Sequence, residues 1–297
     1  MSEFIPKNLL VVGGTGRFVG PSVTTALLDN KHFHVKVLFR KETQEKNKEL
    51  IEKYKSMGAV MVEGDLNDAD SLVAAMQNVD TIVSTVGGLQ LMDQLKLIEA
   101  AKKVPSVKRF LPSEYGGDCS YFSPNELYYG AVIQIRKSLE ESGLEYTYVI
   151  PGYFYEFATS VRYGFDHEKG ELHLSGTGHE VVALTDIPDV GKFVSEILLD
   201  PYSRNQKIFI QGERTTFHSI IKTFEQVSGK QLKVTYYSAE DMKKQEEEAE
   251  GIFQKVMALL RSSIFSPAAN PPFDHSSRYN VKPNTMRQYV ESLYPSK

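Results

Sequence analysis

Residues 11–22 read VVGGTGRFVGPS, four glycines and a threonine behind a short apolar run. A stretch of this kind does its chemistry with backbone. Glycines at a strand-to-helix junction let the chain turn sharply and approach a pyrophosphate closely, and the helix start offers free N–H groups and a partial positive charge to the phosphates. A glycine motif alone is a weak signal and gains meaning from its flanks. Here NLLVVGG (8–14) reads as a buried strand, PSVTTALLDN (21–30) as a helix and HVKVLFR (34–40) as the next strand. The amides after Gly16, those of Arg17, Phe18 and Val19, are the candidates for the phosphates. Gly13, Gly16 and Gly20 leave three residues between the last two glycines, where the dinucleotide fingerprint leaves two. Either the turn is one residue looser or the helix starts later.

The end of the second strand selects the nucleotide. An acid there bonds the ribose 2′-OH of NAD, whereas an arginine can hold two oxygens of a 2′-phosphate at once. This chain has Arg40 and Lys41, with Lys46 and Lys48 downstream, which favours NADP(H); Glu42 is near enough to keep NAD open. The other reactive types give less. The one cysteine, Cys119, has no histidine near it in sequence, and the seven histidines show no metal spacing, so no metal is expected.

These groups need a scaffold, and the patterning supplies one. After the first two strands come a helix over 43–58, a strand over 59–65 and a helix over 68–80 capped by Asp68 or Asp70. A strand over 81–87, a helix over 89–104, a strand over 109–116, a helix over 126–143 and a strand over 146–152 follow. Strict β-α alternation with apolar strands implies an α/β fold, a doubly wound parallel sheet of Rossmann type. Beyond 152 the rhythm loosens. ELHLSG and HEVVALT suggest a short hairpin, 186–201 a helix, and KIFIQG (207–212) a strand returning to the main sheet. A helix over 215–229, a strand over 233–238 and two more helical stretches follow, with a charged run over 238–251 and a loop over 266–277. The expected division is a dinucleotide-binding domain over 1–155, rejoined by 182–212, and a smaller C-terminal substrate lobe from 156–181 and 213–297.

Bulk properties set limits. A net charge of −4 and 41% apolar residues in 297 fit a packed protein, and nothing in the balance asks for nucleic acid or membrane. No apolar stretch approaches the ~18 residues of a bilayer span. The start, MSEFIPKN, has no basic-then-apolar leader, and a single cysteine suits a reducing compartment, so the expectation is cytoplasmic.

The chain resembles the NmrA-like and isoflavone-reductase-like atypical short-chain dehydrogenases, in particular the branch of phenylcoumaran benzylic ether and pinoresinol–lariciresinol reductases. GGTG (13–16), VLFRKET (37–43), residues 50–87, QLKLIEAAK (94–102), VKRFLPSEYG (107–116) and GLEYTYV (143–149) carry the resemblance. It implies that Gly13, Thr15, Gly16 and the amides after them hold the pyrophosphate and Arg40 the 2′-phosphate. By the same resemblance Asp65 and Leu66 flank the adenine, and Thr85, Val86 and Gly87 line the path to the nicotinamide ribose. Ser113 and Glu114 would lie near the nicotinamide, with Phe154 beside the ring.

The resemblance breaks at one position. Reductases of this branch carry a lysine for proton transfer on the helix before the sixth strand, and the ungapped match puts Val132 there. The nearby candidates are Gln134, Arg136 and Lys137, but Lys137 lies about 140° round the helix from Val132. Hydride transfer to a carbonyl or quinone methide needs a proton donor near the developing oxyanion. Tyr128 stands four residues before Val132, as the tyrosine of a Tyr-x-x-x-Lys pair would; Tyr129, Tyr153 and Tyr115 are alternatives. With a pKa of about 10, a tyrosine without a neighbouring cation is a donor and a poor base.

Two functions fit. One is a reductase passing hydride from NADPH to a small aromatic or phenolic substrate, with the aromatic stretch 152–165 as pocket lining or core. The other is a catalytically silent NADP(H) sensor acting through a protein partner, which loss of the lysine suits. Non-redox chemistry on the same scaffold is a third and weaker reading.

Overall fold

The computed structural model describes residues 4–294, apart from the side chains of Leu89 and Leu127. The first half alternates strand and helix: β1 (Asn8–Val12), α1 (Val19–Asp29), β2 (His34–Phe39), α2 (Lys48–Ser56), β3 (Val60–Glu63), α3 (Ala69–Ala75), β4 (Thr81–Ser84), α4 (Gln94–Lys102), β5 (Arg109–Leu111), α5 (Leu127–Glu141) and β6 (Glu145–Ile150). The second half holds β7 (Tyr153–Phe154), α6 (Tyr155–Ala158), β8 (Phe165–Asp166), β9 (Glu171–Ser175), β10 (Val181–Thr185), α7 (Ile187–Leu199), β11 (Gln206–Phe209), β12 (Glu213–Thr216), α8 (Phe217–Ser228), β13 (Lys233–Tyr237), α9 (Ala239–Glu248), α10 (Gly251–Ser262) and α11 (Met286–Leu293).

Seven parallel strands form the main sheet in the order β11-β6-β5-β4-β1-β2-β3. The order reverses between β1 and β4, which opens a crevice beyond their carboxyl ends. Alternation along each strand feeds two cores. Leu10, Val12, Ile82, Phe110 and Tyr148 face α3, α4 and α5. Leu9, Val11, Val83, Leu111 and Val149 face α1 and α7. The helices α1 and α7 pack very closely, because Gly191 leaves no side chain where a Cβ would stand 2.3 Å from the Ser22 carbonyl. The Ser22 hydroxyl donates to the Ile187 carbonyl at 2.7 Å across the same contact. The helix that begins at the glycine loop is thus fastened at its outer face.

Two three-stranded sheets, β12-β10-β7 and β13-β9-β8, lie outside the main one. They correct the expected hairpin: β9 pairs with β8 and β13, whereas β10 pairs with β7 and β12. The reason is local. The Glu180 carboxylate accepts from the Thr177 and Gly178 amides, so the connection satisfies its own donors and β10 departs to another sheet. The helix expected over 43–58 is a 3₁₀ turn at Lys41–Thr43 and then α2 from Lys48, because burial begins only at Ile51 and Tyr54. The one expected over 89–104 opens with a 3₁₀ turn, Gly88–Asp93. The strand expected over 109–116 ends at Leu111. Thr215 and Thr216 belong to β12, and Thr216 caps α8 by accepting from the Ser219 amide. Asp68, not Asp70, caps α3.

Candidate active site

The glycine loop folds as a tight backbone knot. The Gly16 amide donates to the Gly13 carbonyl at 2.9 Å. Gly13 has φ +84°, and a Cβ on it would meet the Thr85 carbonyl group at 2.8 Å. Gly20 must also lack a side chain, since its Cβ would lie 2.3 Å from the Gly13 oxygen. This settles the spacing: α1 starts at Val19, earlier than expected, so the extra residue is absorbed in the bend at Arg17 and Phe18 and Gly20 sits in the first helical turn. Pro21 is tolerated there because amides of the first turn have no intrahelical acceptor. From below, the buried Tyr54 hydroxyl donates to the Gly14 carbonyl at 2.8 Å.

The residues implied as cofactor contacts gather along the carboxyl ends of the parallel strands. Gly16, Arg17 and Phe18 are exposed after β1, Thr15 is half-buried and Val19 is buried. No side chain caps the first amides of α1, which leaves that helix start open to an anion. Arg40 and Lys41 follow β2 and are exposed; the Arg40 carbonyl accepts from the Thr43 amide and fixes the turn. After β3, Leu66 is buried and Asp65 is half-buried, one carboxylate oxygen accepting from the Asn67 amide. After β4, Thr85 donates both its amide and its hydroxyl to the Val12 carbonyl, which ties this segment to β1. Val86 is buried, and Gly87 is exposed with open space where a Cβ would stand. Beyond β5 the Ser113 amide donates to the buried Gln94 side chain at 2.7 Å. Phe154, in β7, is buried. A dinucleotide fits this edge: the cradle excludes side chains at Gly13 and Gly20, is tight at Gly16, where a Cβ would lie 3.0 Å from the Gly13 oxygen, and leaves room at Gly87.

The side that would do the chemistry looks different. Val132 is buried among apolar neighbours on α5. Arg136, one turn further on, is committed elsewhere. Its guanidinium donates to both Glu114 oxygens at 2.8–2.9 Å and to Asp118 at 2.9 Å, and lies 4.5 Å from the centre of the Tyr148 ring. Lys207 closes the cluster on Asp118 at 3.2 Å. Burial works against Asp118's charge, yet Arg136, the Ser120 amide and Lys207 hold its carboxyl below its usual range. Burial pushes the Glu114 carboxyl up, and Arg136 pulls it back. Arg136 is therefore the counter-ion of two carboxylates and cannot stand in for a proton-transferring lysine. The sequence offered it only as a neighbour of position 132. Lys137 is exposed on the outer face.

Four tyrosines were candidate proton donors. Tyr129 is buried and stacked on Phe122 at 3.5 Å. The Tyr115 hydroxyl is buried with no hydrogen-bond partner, and burial pushes its phenol up. The Tyr153 hydroxyl is bonded to Ser263 at 2.5 Å. Tyr128, in the first turn of α5, is half-buried, and burial, with the Glu114 carboxylate nearby, pushes its phenol to about 12. It stays protonated near neutral pH and can donate. Cys119 is buried, its thiol pushed to about 12 by burial, and is inert as a nucleophile. Among the described residues no group of three or more His, Cys, Asp or Glu could hold a metal, and no helix is long and apolar enough to cross a membrane. The aromatic stretch 152–165 is mostly core, with Tyr155, Tyr163 and Phe165 buried and Tyr153 and Phe157 half-buried.

Comparison with known proteins agrees with this geometry. The phenylcoumaran benzylic ether reductase Betv6 of Betula pendula is 29% identical over 97% of this chain and 94% of its own. Eugenol synthase 1 of Petunia hybrida is 32% identical over 80% of each. The solved structure of AtPrR2 with NADP+ and (+)pinoresinol superposes with a TM-score of 0.85 at 26% identity, covering 97% of this chain and 99% of that one. The sequence pattern of the NmrA-like family runs through residues 6–268, from just before the first strand to Ala268, which lies against Gly117, and the chain belongs to that family.

Proposed function

We propose that this protein is an NADP(H)-dependent reductase that delivers hydride to a small phenolic or otherwise aromatic substrate. The observation that carries the reading is the side-chain-free cradle of Gly13, Gly16 and Gly20 locked onto Thr85, with Arg40 at the end of β2. NADPH, when bound, supplies the hydride. Gly13, Thr15, Gly16 and the amides of Arg17, Phe18 and Val19 hold its pyrophosphate, and Arg40 with Lys41 holds the 2′-phosphate. Asp65 and Leu66 flank the adenine; Thr85, Val86, Gly87, Ser113 and Phe154 line the reducing half. Tyr128 gives its phenolic proton to the substrate oxygen as charge develops there, and water reprotonates it. Residues 1–155 with 182–212 serve the dinucleotide, and 156–181 with 213–297 cover the substrate. We assign the work to the cytoplasm, where a protein with one buried cysteine needs no disulfide.

Val132 favours a second reading, a silent NADP(H) sensor that reports to a protein partner, because the family's proton-transferring lysine is replaced by buried valine. One experiment separates the two: NADPH oxidation over a panel of aryl ketones, quinones and phenylpropanoid ethers, with parallel titration of NADH and NADPH. Turnover of at least one aromatic class with NADPH preferred is the expected result. Tight NADPH binding without turnover transfers the assignment to the sensor, and equal affinity for the two nucleotides removes the role of Arg40.

A further inference from the structure

The extra residue in the glycine loop has a visible effect. Because α1 already starts at Val19, the added length stands out at Arg17 and Phe18, and Phe18 is 48% exposed. Exposing so much of a phenylalanine forgoes burial, yet this ring is not without company. Its centre lies 5.2 Å from that of Phe157 on α6, the planes tilted by 32°. Phe157 in turn lies 5.8 Å from Phe154. The three rings make a row that joins the glycine loop after β1 to the segment after β6, two walls of the same carboxyl-end crevice.

The two walls are held differently. On the α6 side, Tyr155 is fully buried and donates to the Asn284 carbonyl at 3.0 Å, while the Glu156 carboxyl group accepts from the Ile187 amide at 3.1 Å. That side is anchored at neighbouring residues. On the loop side, the Gly13–Gly16 turn is fixed, whereas Phe18 stands at the start of α1 with half of its surface exposed. An anchored ring facing a half-exposed one on the opposite wall is the arrangement of a clasp.

We propose that Phe18 and Phe157 form an aromatic clasp across the dinucleotide crevice, which parts to admit NADP(H) and closes over it, so that the pair sets the cofactor's release rate. The inference rests on the NADP(H) reading above. Aromatic pairs contribute about 0.5–1.5 kcal/mol beyond plain burial, so opening the clasp changes release several-fold.

The test is stopped-flow release of NADPH, followed by its own fluorescence during a chase with excess NADP+. Phe18→Ala and Phe157→Ala are each expected to speed release about 3- to 10-fold. The double variant should be no faster than the faster single one, because the two rings act as one unit. Phe18→Tyr should restore slow release, which a merely disturbed loop would not allow. The chain has no tryptophan, so Phe18→Trp places a lone reporter in the clasp, and its emission should change when NADPH binds. Unchanged release in both alanine variants, with NADPH bound by the native protein, overturns the clasp alone. A native protein that gives no NADPH signal overturns the NADP(H) reading and the clasp with it.

Discussion

The nucleotide edge and helix α5 meet at the same crevice but are built on opposite plans. At β1 and β4 the contacts are backbone to backbone: Gly13 on Thr85, Gly20 on Gly13, the Thr85 amide on Val12. What matters there is the absence of side chains. At α5 everything depends on which side chain projects, and there Val132 is apolar and buried, Arg136 is bound to two carboxylates, and only Tyr128 of the candidate donors is neither fully buried nor hydrogen-bonded. A backbone site survives sequence drift so long as its glycines do. A side-chain site is rewritten by one substitution.

The comparison can be broken at either end. The largest effect is expected at Tyr128: as proton donor its loss in Tyr128→Phe should lower kcat by about 100- to 1000-fold with NADPH affinity unchanged, measured by steady-state kinetics and titration. Full turnover would place the donor elsewhere. Gly20→Ala attacks the other plan. Its Cβ must displace the Gly13 carbonyl, so NADPH affinity should fall at least about 10-fold by titration, an overpacking cost of 1–3 kcal/mol. Arg40→Ala should weaken NADPH by about 10-fold and leave NADH unmoved; equal losses for both would separate Arg40 from the 2′-phosphate.

The smallest effect is in pH. Burial, beside Asp186, raises the Glu156 carboxyl to about 8. The folded chain therefore keeps a proton that the unfolded chain releases from the ordinary carboxylate range upward. Its contribution to stability is greatest on the acid side and is lost as pH rises through about 8. The thermal midpoint should fall between pH 6 and 9, and Glu156→Gln should flatten the slope. A midpoint that rises over that interval in the native protein would contradict the assignment.

What could be read from the chain alone follows the range of the forces. The apolar runs at Leu9–Val12 and Ile82–Val83 and the alternation of strand and helix disclosed the parallel sheet, because a strand buried on both faces leaves a local signature. The glycine motif marked the turn between β1 and α1, because its glycines meet backbone at close range. The Arg136–Glu114–Asp118–Lys207 cluster was not legible: Lys207 reaches Asp118 across 89 residues of chain, a pairing that only the tertiary fold makes. The same holds for Phe18 against Phe157. The false hairpin came from two strand-like runs at hairpin distance, each of which takes its partners from elsewhere in the chain.

The seventh strand has a consequence for how the chain can be cut. β11 adds to β6 only after the chain has left the sheet, made β7 to β10, and covered α1 with α7. A fragment ending at residue 155 would present β6 as a bare edge, with the α1 face that α7 covers open to water. Such a fragment should self-associate rather than fold alone, so the first half of the chain is not autonomous as a folding unit.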